Sequence, residues 1–440
     1  MSAATLAPSP PRRTFSASTA ASIGTAAAAM VATLPGRTHG LGLVTEPLLA
    51  DLNLGRVTFA ALNFWATLVG AAFCLPVGWL IDRVGVRAVL SVVLCSLGIV
   101  VVCITRVAVG SREFSMHVPE VLAGGGVDSV AVPLDLFVLV LLTRGLGQSA
   151  LSVVSLALVG KAAGNRPGAV IGVYSFLVAV GFMAAFATVK AAFEQAHADW
   201  RTVWAGMGWA LVAFGTVSII LVKNPAPQPV EPSEGGEGSL NGTTLGAALR
   251  TPGFWVFALA TSFYGLVAAG MSLFNQSLLA ERGFDRGVFL TITTVTPLIG
   301  LAANLFSGWL ATRIRLGVLL AAGLLVQTAA LATFPAVSSL SHVYAYAAAM
   351  GVAGGVLTVV FFTVWRQAFG AAHLGQIQGA AQLLTVLASA VGPLVLAAGQ
   401  RAYGSYAPVV QNLAVVAAVF AAAALFVPLP TADSPRGGEA

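Results

Sequence analysis

Charge is scarce in this 440-residue chain: 22 Lys and Arg and 16 Asp and Glu together make up 9% of it. Soluble domains carry about 25% charged residues, so an ordinary water-facing fold is excluded. Cysteine is sparse too. Cys74, Cys95 and Cys103 all sit inside apolar runs without metal-type spacing, which excludes a zinc site and leaves them as small packing residues. No cluster of His, Cys or carboxylates offers metal or nucleophilic chemistry, so neither enzymatic activity nor a cofactor is expected. The net charge of +6 comes from Lys and Arg scattered singly or in pairs. That pattern is topological rather than a nucleic-acid patch.

What the chain has in abundance is apolar length: 58% of residues are hydrophobic and the mean hydropathy is +0.90. At about 20 apolar residues per crossing, it holds a dozen membrane spans and little else. The runs predict spans at 17–46, 57–80, 86–107, 132–159, 168–190, 201–222, 253–277, 287–311, 316–336, 342–366, 375–398 and 408–428. Arg12 and Arg13 precede the first run, but that run is too long for an export signal and eleven more follow, so it is expected to stay as the first span. With the N-terminus inside, twelve Lys and Arg fall in inner connections and eight in outer ones, which favours both termini in the cytoplasm of a bacterial cell. The stretch KNPAPQPVEPSEGGEGSLN, beginning at Lys223, is rich in Pro, Gly, Ser and Glu and reads as a flexible linker. The expected organisation is an N-terminal six-helix bundle (1–222), a cytoplasmic linker (223–251) and a C-terminal six-helix bundle (252–440).

An internal repeat supports two related halves. At an offset of 230, TEPLLADLNLGR (45–56) aligns with NQSLLAERGFDR (275–286), and GWLIDR (78–83) with GWLATR (308–313). At an offset of 207, Gly168 and Gly172 align with Gly375 and Gly379, and RGLGQ (144–148) with GVAGG (351–355). The first half therefore carries about 23 extra residues between its second and fourth spans. They fall near 111–130, as an outer insertion that could be a lid or a tolerated surface loop.

Gly78, Asp82, Arg83, Gly85 and Arg87 in GWLIDRVGVR resemble the loop 2–3 signature of the major facilitator superfamily. RGLGQ, DWR (199–201), Gly392-Pro393 and GSY (404–406) resemble further family features. The resemblance implies an all-α fold of twelve transmembrane helices in two pseudo-symmetric bundles, alternating access, and a gate built on this motif. Asp82, at a helix end, is expected to hold Arg83 or Arg87 and to face a neighbouring helix N-terminus. In the second copy Thr312 replaces the aspartate ahead of Arg313, so the first copy should dominate the gate.

A basic residue inside a span costs about 2.5 to 3.5 kcal/mol at its centre, and such residues usually line cavities. Two qualify. The repeat places Arg37 near the bilayer midplane beside Pro35 and Gly36, which should loosen the helix there; Arg144 lies in the fourth span. Spans 1, 4, 7 and 10 line the central cavity in the superfamily, so the resemblance implies that both arginines face it. They could clasp an anion, although Arg144 could equally be a packing residue bonded to carbonyls. His39 is the candidate if protons are coupled. Tyr174, Tyr264, Asn275, Asn304 and Gln382 could complete the site or serve as helix–helix hydrogen bonds.

The long first span running into PLLADL, and the pattern around the eleventh span, look like the oxalate/formate and monocarboxylate carriers. The acidic-Gly-Gly-Trp signature of monocarboxylate porters is absent, and Asn304 and Thr385 stand where oxalate-type carriers place an arginine and a lysine. The expected substrate is a small monocarboxylate-like anion, carried by a monomer, with protons or a counter-anion as the coupled species and the bilayer as the only other partner. Nitrate/nitrite carriage, drug efflux and a non-transporting sensor of this fold are the alternatives.

Overall fold

Inside a bilayer each backbone amide must find its partner within its own segment, which leaves helices as the way for a long apolar run to cross. The computed structural model describes residues 17–37, 40–41, 44–108, 112–119, 128–162, 167–194, 199–222 and 243–429. Among these residues twelve helical spans are long and apolar enough to cross a membrane. They are span 1 (Ala17–Gly36), 2 (Thr58–Val84), 3 (Val86–Ile104), 4 (Leu134–Ala162), 5 (Val170–Phe193), 6 (Trp200–Leu221), 7 (Pro252–Glu281), 8 (Gly287–Leu310), 9 (Leu316–Ala336), 10 (Leu340–Phe369), 11 (Leu374–Tyr403) and 12 (Ala407–Phe426). The linker residues 223–242 lie outside the described residues.

Span 1 departs from the continuous 17–46 run expected. Its α-helix ends at Val31 and a 3-10 turn follows at Leu34–Gly36; a separate short helix, Thr45–Asp51, comes later. Pro35 sits in the first residues of that turn, where its fixed φ suits a new start and its missing N–H ends the old ladder. Span 7, the repeat partner, has no such break.

Packing follows the repeat. Spans 1 and 5, 3 and 6, and 2 and 4 pack together in the first half; spans 7 and 11, 9 and 12, and 8 and 10 pack together in the second. Across the halves, span 2 packs on 11 and span 5 on 8. Adding six to each number turns one set into the other, so the two bundles are pseudo-symmetric. The seams use small residues: a Cβ on Gly379 would lie 3.6 Å from Gly78 Cα, and one on Gly172 would lie 3.5 Å from Gly308 Cα. These are equivalent pairs, and glycine permits the close backbone approach that membrane helices rely on.

The same acid of the repeat ties each bundle at the end away from Asp82. Asp51 accepts from Trp200 Nε1 at 3.0 Å and Arg201 Nε at 2.8 Å. Glu281, 230 residues later, accepts from Tyr406 N at 3.0 Å and from Ser405 Oγ. Arg201 also donates to the Thr105 and Val107 carbonyls beyond span 3. Hydrogen bonding from Arg201 and then Trp200 holds the Asp51 carboxyl below the usual carboxylate range. A depressed folded-state value means the tie stabilises at neutral pH and is lost as the pH falls through that lowered value. Glu281→Ala leaves the Tyr406 amide without its acceptor. It is expected to cost about 1–3 kcal/mol, read as a lower unfolding temperature of the purified protein.

Part of the insertion near 111–130 is a β-hairpin. Strands β1 (Glu113–His117) and β2 (Ser129–Pro133) pair antiparallel with Ser115 opposite Ala131. Trp65 Nε1 of span 2 donates to the His117 carbonyl at 2.8 Å, Phe114 packs edge-on against Phe137 of span 4 at 5.5 Å, and Met116 and Val132 are buried. The strands are thus fixed to the first bundle. Residues 120–127 between them lie outside the described residues.

Candidate functional site

Asp82 ends span 2 with its side chain 5% exposed. Its Oδ1 accepts from Gly375 N at 3.2 Å and its Oδ2 from Gln376 N at 2.9 Å, so the carboxylate caps the first turn of span 11 across the seam. The positive end of that helix suits the charge. The cation completing the cluster is Lys161 of span 4, with Nζ 3.2 Å from Oδ1, in place of the expected Arg83 or Arg87. Arg83 lies over the Trp79 ring at 4.4 Å, and Arg313, its repeat partner, over Trp309 at 4.2 Å. Arg87 is exposed in the first turn of span 3. Gly85 links the two spans at φ 94°, a conformation that only glycine adopts without strain.

A second charge crosses the seam in the opposite sense. Arg366, in the last turn of span 10, donates through Nη1 to the carbonyls of Gly160, and of Lys161 at 3.1 Å, at the C-terminal end of span 4. Each half therefore caps a helix end of the other with the sign of charge that the helix dipole favours. Sequence reading counted Lys161 and Arg366 only as topological charges. The signal for their role was their place in the last turn of a span.

The two intramembrane arginines have different surroundings. Arg144 is 3% exposed. It donates to the Gly36 carbonyl at 3.0 Å, to Asn63 Oδ1 at 2.8 Å and to Gln148 Oε1 at 3.4 Å. It clamps the break of span 1 against spans 2 and 4, within a π-helical stretch, Arg144–Leu151. A Cβ on Gly36 would come within 2.5 Å of the Thr143 carbonyl, so the break nests against the widened helix. These bonds engage Arg144 in packing at the break of span 1.

Arg37 is half-buried just past the break. Nε donates to Thr33 Oγ1 at 2.6 Å, while Nη2 reaches Ser152 Oγ at 3.3 Å and Met30 sulfur at 3.1 Å. The guanidinium carbon stands 5.5 Å from the Phe182 ring centroid. All of these partners are neutral, and among the described residues no carboxylate pairs with Arg37. Below it, Tyr174 is buried, shares a 2.8 Å hydrogen bond with Ser155, and packs edge-on against Phe362 of span 10 at 5.3 Å. His39 lies outside the described residues.

In the second half, adjacent glycines bring two candidates to one depth. A Cβ on Gly354 would meet the Tyr264 hydroxyl at 2.6 Å, and one on Gly355 would meet Asn304 N at 2.9 Å. Gln382 is 9% exposed and lies one turn from Thr385, whose hydroxyl is 3.3 Å from Ser262 Oγ on span 7. Tyr264 and Asn304 therefore both pack against span 10, and Gln382 lies on span 11 one turn from that span's contact with span 7. Asn275 lies eleven residues beyond Tyr264 on span 7, about 16 Å along the helix, and is not part of this group.

No curated protein matches the chain in sequence. Solved structures match its fold. FucP in the outward conformation is 15% identical over 94% of this chain and 100% of that one, with a TM-score of 0.68. A variant of the E. coli fucose:proton symporter FucP is 16% identical over the same shares, at 0.67, and the human organic anion transporter MFSD10 (TETRAN) is 16% identical over the same shares, at 0.64. Identities this low carry the fold alone. The family model described as Major Facilitator Superfamily matches residues 15–393, taking in the seam, both arginines and the repeat, and the chain is thus a multi-pass membrane protein that belongs to the major facilitator superfamily.

Proposed function

We propose that this chain is a secondary transporter of small organic monoanions that works by alternating access. The observation that carries the reading is Arg37: a half-buried guanidinium among spans 1, 4 and 5 whose hydrogen bonds all go to neutral groups. A cation with no carboxylate partner among the described residues, in a low-dielectric setting, attracts an anion and repels a cation. Its planar donor set suits a carboxylate. The fold likeness to an organic anion transporter is compatible with this reading.

The reciprocal caps at Asp82 and Arg366 are the gate in this reading. They hold the halves together at one end, read as the cytoplasmic one, so the state described opens to the opposite side. Moving the substrate means parting spans 2 and 11 and spans 4 and 10, with each bundle tilting as a body.

The test is uptake into liposomes reconstituted with the purified protein, comparing a panel of carboxylates, nitrate and neutral sugars. Carboxylates are expected to accumulate and sugars to stay out. Uptake of sugars alone would remove the anion reading, and uptake of nitrate alone would replace the organic substrate with an inorganic one.

A further inference from the structure

In the first half Ser155 is partnered with Tyr174 and the Ala26 carbonyl, and Thr33 with Met30 and Arg37, whereas the Ser149 and Ser175 hydroxyls are buried without partners. In the second half three neutral polar side chains are without hydrogen-bond partners among the described residues. Asn304 Oδ1 is buried and accepts no hydrogen bond. Among the described residues the Tyr264 hydroxyl and the Gln382 carboxamide make none either. These groups come from spans 7, 8 and 11, and none is charged.

From these unpartnered groups we infer that the second half reads a hydroxyl: Asn304 and Gln382, with Tyr264, are specificity-determining residues for a monoanion bearing a hydroxyl away from its carboxylate. The inference rests on the anion reading of Arg37 and adds what lies at the substrate's other end. A carboxamide both donates and accepts, as a hydroxyl does. An alkyl tail would bury these heads with their hydrogen bonds unmade, which a site built for a hydroxyl punishes heavily. A second carboxylate would require a second cation, and the three heads supply none. The substrate class is therefore the hydroxy-monocarboxylates rather than plain alkyl monocarboxylates or dicarboxylates.

Four-carbon probes separate the cases in liposomes containing the full chain: butanoate, its 2-, 3- and 4-hydroxy derivatives, butanedioate and butane-1,4-diol. At least one hydroxybutanoate is expected to exceed butanoate in kcat/KM by about tenfold or more, with butanedioate poorer than either. Asn304→Leu and Gln382→Leu should each pull that ratio towards one. Ratios near one for all three derivatives in the unmodified protein would overturn the inference, and so would a high ratio that neither substitution lowers. The ratio in the unmodified protein decides even if a variant fails to fold. Transport of the diol with no carboxylate moved would instead sink the anion reading beneath it.

Discussion

Carboxylate uptake falls by about a hundredfold or more in Arg37→Gln, an expectation that follows from how the guanidinium is held. A charge-assisted hydrogen bond is worth about 1.5–3 kcal/mol, and the substrate loses both that bond and the unscreened attraction of a half-buried cation. Glutamine keeps some polarity towards Thr33 and Ser152, so the variant should fold and reach the membrane. Arg37→Lys separates charge from shape: it keeps the cation but cannot hold Thr33, Ser152 and a substrate together, and should recover only part of the uptake. Initial rates with the best carboxylate of the panel, alongside the unfolding temperature of each variant, make the comparison. Unchanged kinetics in Arg37→Gln would take the residue out of the site.

Asp82→Ala removes the other large contribution. The carboxylate accepts two backbone N–H groups and an ammonium across or beside the seam. Breaking a buried charge pair by deleting one partner costs about 3–5 kcal/mol, enough to move a two-state equilibrium by a factor of about a hundred or more. The amides of Gly375 and Gln376 lose their acceptor, so amide hydrogen exchange at the start of span 11 should quicken by about tenfold or more, and the balance between the two open states should shift. Arg366→Ala is expected to act in the same direction through the Gly160 and Lys161 carbonyls, since it opens the same seam from the other half. If exchange at residues 375–378 stayed at its original rate in Asp82→Ala, the cap would not be holding the seam.

Much of this was legible in the residues. Apolar runs and their lengths gave the twelve spans, because a bilayer leaves a chain few other choices. The spacing of Gly78, Asp82 and Gly85 marked the turn at which a helix ends and a glycine must take a positive φ. The 230-residue offset placed Asp51 and Glu281 in register before their matching ties were visible. Partners distant in sequence were not legible. Lys161 meets Asp82 only once spans 4 and 2 pack within the first half, and Arg366 meets Gly160 only once the two halves are packed. Arg37 and Arg144 look alike as lone cations in apolar runs, and only packing shows that Arg144 is engaged by Gly36 and Asn63. The hairpin was hidden by brevity: EFSMH and SVAVP alternate in burial over five residues each, too short a period to stand out beside GGG.

The π-helical stretch of span 4 bears on how the two halves differ. Span 10, its repeat partner, is α-helical from Leu340 to Phe369, whereas span 4 changes its winding at Arg144–Leu151. The i→i+5 bonds of a π stretch wind the chain more loosely than those of an α-helix. Beyond Leu151, span 4 therefore presents a face turned about its axis from the one that the same positions of span 10 present, so the two halves offer different side chains at equivalent places.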